Sequence, residues 1–518
     1  CGCRLGAAAG PDRMTTSQPL AHIGGSVAGN GALFPRKPAL ICDDDSIDWG
    51  TLADAVGRLS AWIARETPEG AGVAVSLPNC TALPALVLAI AGCGRQAQIL
   101  DPAWPRTMAQ SVVSGLDSAL VLATDAALGA PCRTIVLPER AGLPDLDRMC
   151  SAPSPFFPDA VDPERPFYVG FTSGSTGVPK GYRRNHRSWI ESFSAEALEF
   201  GHTSQDAIIA PGNLSHSLFL YAVMHALHRG ATAVMARQFR PERLADLVAT
   251  HGGAILYAAP AQLALLARTA QMSPGGRTEQ LRWIVASGAK WNWACRDTLR
   301  QMFPGARFAE FYGASELSFV SVAREDEHPP AGCVGRAFAG VEIAIRGEDG
   351  RPAPTMASGL VWVRSPMIFD GYVYPPDARA LQPSADGFYC VGDTGWLDER
   401  GRLFLVGRND RMIVTAGKNL FPEEIETVLE AHEAVEAAAV VAMNDERRGA
   451  RPVALVRLVA GATVCRADLI AYARAALPLY KVPRRYLAVD DWPRTRSGKS
   501  DFAMLEANLL AGQYRPLS

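Results

Sequence analysis

The sequence predicts an α/β protein in parts, and three observations carry that prediction. From about residue 40 short β-rich runs alternate with longer helical patterns, between about 331 and 405 short strands are broken by Gly and Pro, and after Arg408 a compact α+β pattern follows. Alternation of strand and helix implies parallel sheets covered by helices, whose ligands collect at the C-terminal ends of strands.

Taken in order, the pattern predicts a strand over 72–77, a helix over 81–90 and a strand over 118–124. It then gives a helix over 187–200, strands over 207–210, 232–235, 254–258 and 283–286, and helices between them. Runs such as Gly359-Leu-Val-Trp-Val-Arg and Gly401-Arg-Leu-Phe-Leu-Val-Gly read as a small antiparallel barrel or sheet. A helix over 422–430, strands over 436–442 and 452–459 and a helix over 467–476 make up the last part, with a boundary expected near 407–411. Residues 1–13 precede Met14 and read as an extension, expected to be disordered and outside the fold.

Length and composition narrow the function. At 518 residues the chain is too long for one ordinary core. Its net charge of -2 offers no overall electrostatic case for nucleic acid or an anionic membrane. The longest apolar stretch, 82–93, is too short to span a bilayer and reads as a buried helix, so no stable membrane insertion is expected. Eleven cysteines, scattered singly apart from Cys1 and Cys3, lack metal or disulfide spacing, which points to reduced thiols and a cytoplasmic location.

The richest local feature is Thr172-Ser173-Gly174-Ser175-Thr176-Gly177-Val178-Pro179-Lys180-Gly181 after the apolar-aromatic run 167–171. Glycine lets amides converge, hydroxyls donate and lysine supplies charge, which suits a backbone wrapped around phosphates. It is not the common nucleotide loop, whose lysine is followed by Ser or Thr where Gly181 stands. A flexible Ser/Gly linker has the same composition, so the run alone leaves both readings open.

Five further motifs follow. Trp283-Ile-Val-Ala-Ser-Gly-Ala-Lys290 ends a strand in small residues that a flat ring can approach. Glu310-Phe-Tyr-Gly-Ala-Ser-Glu316 groups an aromatic face, a glycine, a hydroxyl and a carboxylate, the parts needed to stack a base, bind phosphate and hold Mg²⁺. Tyr389-Cys-Val-Gly-Asp393 offers a carboxylate for ribose hydroxyls, Gly407-Arg-Asn-Asp410 a guanidinium, and Pro493-Arg-Thr-Arg-Ser-Gly-Lys499 a lysine on a turn. Singly, each also fits a helix start, a surface turn or a solvated loop.

In this order and at these separations the set resembles the adenylate-forming superfamily of acyl-CoA synthetases, peptide-synthetase adenylation domains and luciferases, over Gly31 to Leu505. Its texture is most similar to bacterial acyl-CoA and o-succinylbenzoate-CoA ligases. The resemblance implies a large N-terminal AMP-binding domain, 14–408, of two α/β subdomains plus a small β-barrel, and a small mobile α+β C-terminal domain, 409–518. It implies a reaction in two halves: a small-molecule carboxylic acid and ATP give acyl-AMP and pyrophosphate, then the thiol of coenzyme A displaces AMP. An enzyme that loads an acyl or peptidyl carrier protein is the alternative.

By the same resemblance, Thr172, Ser173, Gly174, Ser175, Thr176, Gly177 and Lys180 hold the β and γ phosphates. Ser287, Gly288, Ala289 and Tyr312 enclose adenine, Gly313 belongs to the same cofactor-binding motif, Ser315 touches the α-phosphate, Glu316 binds Mg²⁺, and Asp393 and Arg408 grip the ribose. Lys499 bridges the α-phosphate and the attacking carboxylate. Asp410 matches the hinge, Gly417 the strand that lines the pantetheine tunnel, and His216 the gate beside the acid, although a core histidine satisfied by its neighbours fits that position too.

Two departures are visible. Lys418 in Ala416-Gly-Lys-Asn419 stands where the family commonly has a glutamate, and Tyr182-Arg-Arg-Asn-His-Arg187 is unusually basic, fitting either an anion contact or a solvated helix start. No aspartate occurs from 211 to 230 to pair with a substrate ammonium, so an α-amino acid is not expected. Leu218, Phe219, Leu220 and Phe319 suggest an apolar tail on the acid, although a hydrophobic core would use the same residues.

Overall fold

The computed structural model describes residues 22–129, 132–150, 154–158, 161–172, 178–272, 279–288, 291, 295–330, 332–347, 349–415, 418–445, 449–495 and 499–517. Among these the strands form three sheets of thirteen, seven and six strands.

The largest sheet has a parallel centre formed by Pro38–Cys42, Thr232–Met235, Ala207–Ala210, Ile255–Ala258, Trp283–Ala286 and Arg307–Ala314. Four of these strands are buried along their whole length, which is why they read as unbroken apolar runs rather than alternating ones. The Gly/Pro-punctuated region continues this sheet as an antiparallel extension through Ser318–Arg324, Cys333–Ala337, Arg402–Arg408, Asp393–Leu397, Gly359–Arg364 and Glu342–Arg346.

The seven-stranded sheet runs parallel through Gly72–Ser76, Gln96–Ile99, Leu120–Ala123, Arg133–Val136 and Pro166–Thr172, then turns antiparallel at Lys180–Asn185 and Gly371–Tyr374. One hydrophobic cluster joins strands of both large sheets to helices such as Trp49–Glu66, Ala82–Gly92 and Ser217–His228. Every residue of Ala82–Gly92 is buried, as its all-apolar sequence requires. A second cluster covers the large sheet with Pro241–His251, Pro260–Met272 and Arg296–Met302.

The last sheet starts at Ile413–Thr415 and centres on the hairpin Val435–Asp445 with Gly449–Leu458. It carries helices Pro422–Glu430, Arg466–Ala476 and Phe502–Leu510 over two separate apolar clusters. This is a mixed α/β architecture with a separate α+β C-terminal domain. Among the described residues no helix is long and apolar enough to cross a membrane, and the nine described cysteines are free thiols.

Candidate active site

The expected phosphate loop is the connection of a β-hairpin. Thr172 and Lys180 are facing partners in the antiparallel pair Pro166–Thr172 and Lys180–Asn185, so the run joins two strands of one sheet and is not an interdomain linker. Ser173, Gly174, Ser175, Thr176 and Gly177 lie outside the described residues, as do Ala289 and Gly417. Lys180 holds its ammonium 5.7 Å from the centre of the Tyr372 ring, on the neighbouring strand Gly371–Tyr374.

A second hairpin, Arg307–Ala314 with Ser318–Arg324, carries Tyr312, Gly313, Ser315 and Glu316 at its tip. The register shifts between Tyr312 and Gly313, and a β-carbon on Gly313 would lie 2.1 Å from the Ser318 carbonyl oxygen, so only glycine fits there. Glu316 accepts a hydrogen bond on Oε1 from the Tyr372 hydroxyl at 2.5 Å. Tyr372 therefore stands between the phosphate-loop lysine and the hairpin carboxylate.

A third hairpin makes Asp393 and Arg408 cross-strand partners. The Arg408 Nε donates to Asp393 Oδ1 at 3.1 Å, and the Tyr312 hydroxyl donates to Oδ2 of the same carboxylate. Burial and the Asp393 charge both push the Tyr312 phenol well above its usual range, so it remains a neutral donor. Three residues expected to hold one nucleoside are thus already linked to one another.

Ser287 is buried and follows the Trp283–Ala286 strand, and Gly288 has a φ of +95°, which favours glycine. A β-carbon on Gly288 would lie 3.8 Å from Lys499 Cε. The lysine turn itself is pinned by the Thr495 amide, which donates to the Lys499 carbonyl at 2.7 Å. Lys499 is exposed as a residue, and desolvation first, then the Arg408 charge, lowers its pKa against the opposing pull of Glu316 and Asp393. Lysine, nucleoside hairpins and carboxylate therefore converge across the two domains. A phosphate centre with a developing negative charge suits such a place, because the cation stands ready beside it.

His216 is the N-cap residue of Ser217–His228 and is half-buried, with its amide donating to the Asn213 carbonyl at 3.0 Å. Phe219, Leu220 and Phe319 are buried; Phe319 stacks on Phe338 at 4.3 Å between ring centres, and these side chains belong to the main core. The structure thus brings together Lys180, Tyr312, Glu316, Asp393, Arg408, Gly288 and Lys499 through the contacts above.

The family model for AMP-binding enzymes matches residues 28–373, and the model for the AMP-binding enzyme C-terminal domain matches 424–499. The chain is an AMP-binding enzyme. It is 34% identical over 471 residues to an uncharacterized acyl-CoA ligase, YhfT, of Bacillus subtilis (strain 168), covering 90% of this chain and 94% of the relative. It is also 27% identical to a 2-succinylbenzoate-CoA ligase of Bacillus velezensis, over 90% and 94% of the two chains. Among solved structures, the amide bond synthetase McbA of Marinactinospora thermotolerans superposes with a TM-score of 0.82 at 27% identity, over 93% of this chain and 99% of that one. The enzyme belongs with the AMP-forming acid–thiol ligases of the adenylate-forming superfamily.

Three residues of the enzyme's site were not singled out from the sequence. Arg184, 3% exposed, donates to the carbonyls of Met367 at 2.8 Å and Ser315 at 3.3 Å and to the Ser188 hydroxyl at 3.1 Å. This overturns the solvated reading of the basic stretch for Arg184, which is buried and braces the turn before Glu316. Lys180–Asn185 is a strand, and the helix begins only at His186. Tyr372 carried no signal beyond its aromatic character. Asn79 anchors the loop before His216 with three hydrogen bonds, to the Gly212 and Ala236 carbonyls at 2.8 Å each and from the Leu214 amide at 2.9 Å. The unusual Lys418 lies 4.8 Å from the Tyr480 ring centre.

Proposed function

We propose that the enzyme converts a small-molecule carboxylic acid and ATP into acyl-AMP and pyrophosphate, and then transfers the acyl group to the thiol of coenzyme A, in the cytoplasm. In the first half an acid oxygen attacks the α-phosphorus and the bond to pyrophosphate breaks. In the second the thiol sulfur attacks the acyl carbon, AMP leaves, and the thiol proton passes to solvent. The observation that carries this reading is the position of Lys499 amid Glu316, Asp393 and Arg408.

The division of labour follows from the chemistry of each group. Asp393 orients the ribose with two carboxylate oxygens, and Tyr312 and Arg408 keep those oxygens in place. The Thr172–Gly177 loop and Lys180 take the charge of departing pyrophosphate. Lys499 holds two anions, the acid and the α-phosphate, at contact distance. Glu316 fits Mg²⁺, a hard cation that takes oxygen ligands, since Tyr372 engages only its Oε1. When bound there, Mg²⁺ would draw charge from the phosphate oxygens. His216 gates the acid, and the domains 14–408 and 409–518 turn about Asp410 so that Lys499 gives way to the pantetheine arm beside Gly417.

A hydroxylamine-trapped adenylation screen over short, long, aromatic and dicarboxylic acids identifies the substrate class. The same acid offered with coenzyme A and with a holo-carrier protein then separates the acceptors. Exclusive transfer to the carrier overturns the coenzyme A assignment, and no acid-dependent pyrophosphate exchange with any acid overturns the whole reading.

A further inference from the structure

The least expected chemistry in the molecule lies in its core. Glu196 on the helix His186–Phe200, His202 just after that helix, and His225 on Ser217–His228 have fully buried side chains, and one ligand atom from each lies within 4.8 Å of the others. Glu196 Oε2 is 2.9 Å from His202 Nδ1 and 3.2 Å from His225 Nδ1. At those distances an N–H pointed at the oxygen would make a hydrogen bond. Yet this oxygen and both Nδ1 atoms have no hydrogen-bond partner among the described residues, nor does Nε2 of either ring.

Burying a carboxylate and two imidazoles in this way is costly unless something else satisfies them. The separations have room for an ion as well as for a shared proton. Two ligand atoms each ~2.0 Å from one cation at a tetrahedral angle stand about 3.3 Å apart. Glu196 Oε1 accepts from the Tyr257 hydroxyl, the kind of outer contact that fixes a ligating carboxylate. His225 stacks on Phe193 at 4.7 Å with a 3° interplanar angle, and the His202 and His225 rings stand edge to face at 4.2 Å. Both imidazoles are thus locked in orientation by packing.

We propose that Glu196, His202 and His225 bind a divalent transition-metal ion, with Zn²⁺ favoured by the two-imidazole, one-carboxylate donor set. The ion clamps two helices together beneath the active site. Tyr221 stands 5.7 Å from His225 and 5.3 Å from Phe319, which lies on the strand that follows Glu316. Tyr257 ties the same centre to the Ile255–Ala258 strand of the large sheet. The site is separate from the Mg²⁺ expected at Glu316 and does not depend on the identity of the acid.

The test uses the untagged full-length chain, stripped with chelator and then titrated with Zn²⁺ or Co²⁺. Mass spectrometry of the dialysed protein should find about one Zn²⁺ per chain. Co²⁺ should give the visible ligand-field bands of a low-coordinate site, and Zn²⁺ should raise the melting temperature. Glu196→Gln and His225→Phe, the second keeping a ring against Phe193, should lose the bound ion and the bands. Because either variant can fail to fold, X-ray absorption at the zinc edge of the wild-type protein gives an independent reading, expected to show two imidazoles and oxygen. Less than about a tenth of an equivalent in the wild type, folded variants that retain the ion, or a shell without imidazole would each overturn the proposal.

Discussion

The two sides of the active site are held in different ways. Tyr312, Glu316, Asp393 and Arg408 sit on hairpins of one sheet, where cross-strand pairing and the Tyr312–Asp393–Arg408 hydrogen bonds fix them before any ligand arrives. Lys499 comes from the C-terminal domain on a short turn pinned by the Thr495 amide, and it feels the charges of Arg408, Glu316 and Asp393. The difference suits the proposed reaction, in which the hairpin residues serve both halves and Lys499, from the other domain, serves only the first.

The strongest way to break this comparison is Lys499→Ala. Acyl-AMP formation should fall on the order of 10³-fold in single-turnover assays, whereas thioester formation from supplied acyl-AMP should continue at an appreciable rate. Equal loss in both halves, with the fold intact, would mean that the lysine is as permanent a part of the site as the hairpins.

Arg184→Met sharpens the rigid side. It leaves the Ser315 and Met367 carbonyls without their donor inside the protein, so unfolding in urea should show a loss of about 2–3 kcal/mol, and adenylation should weaken as the Glu316 turn loosens. An unchanged denaturation midpoint would remove Arg184 from the brace.

Asp393→Asn keeps the shape and removes the charge that orients Arg408 and the ribose. We expect KM for ATP to rise ~10-fold with a smaller change in kcat, since the interaction is present in ground and transition states alike. A drop confined to kcat would place Asp393 in the chemical step instead.

The smallest effect is in pH. Burial and Arg408 lower the Lys499 pKa from that of ordinary lysine, so its cation is lost sooner as pH rises. Adenylation should therefore decline on its alkaline limb at a lower pH than a free lysine would give, while thioester formation should lack that limb. Lys499→Arg should move the limb upward, and a limb that stays in place must belong to another group.

Much of the fold was legible because its signals are local. The strand 207–210 and the helix 422–430 match the observed elements, and the apolar 82–93 stretch, read as a buried helix expected over 81–90, is one over Ala82–Gly92. The helix expected over 187–200 starts one residue earlier, where the Asn185 side chain accepts the Ser188 amide as an N-cap. Motif order likewise pointed to Tyr312, Glu316, Asp393, Arg408 and Lys499. Arg184, Tyr372 and Asn79 escaped because each acts on backbone or side chains more than 50 residues away, so no spacing marks them. The rings of Phe319 and Phe219, which fitted either an apolar tail or a core, lie buried in the main cluster, a placement that serves both.

The sequence by itself determined the family and marked the groups that the proposed reaction needs, since phosphate, ribose and charge-bridging groups must be specific residue types in a fixed order. The tertiary structure alone decided which of them stand together, that Arg184 is buried behind the Glu316 turn rather than solvated, and that Glu196, His202 and His225 converge in the core. Chemical type is written in each residue, but convergence depends on sheet register and helix packing, which bring together groups that the chain keeps far apart.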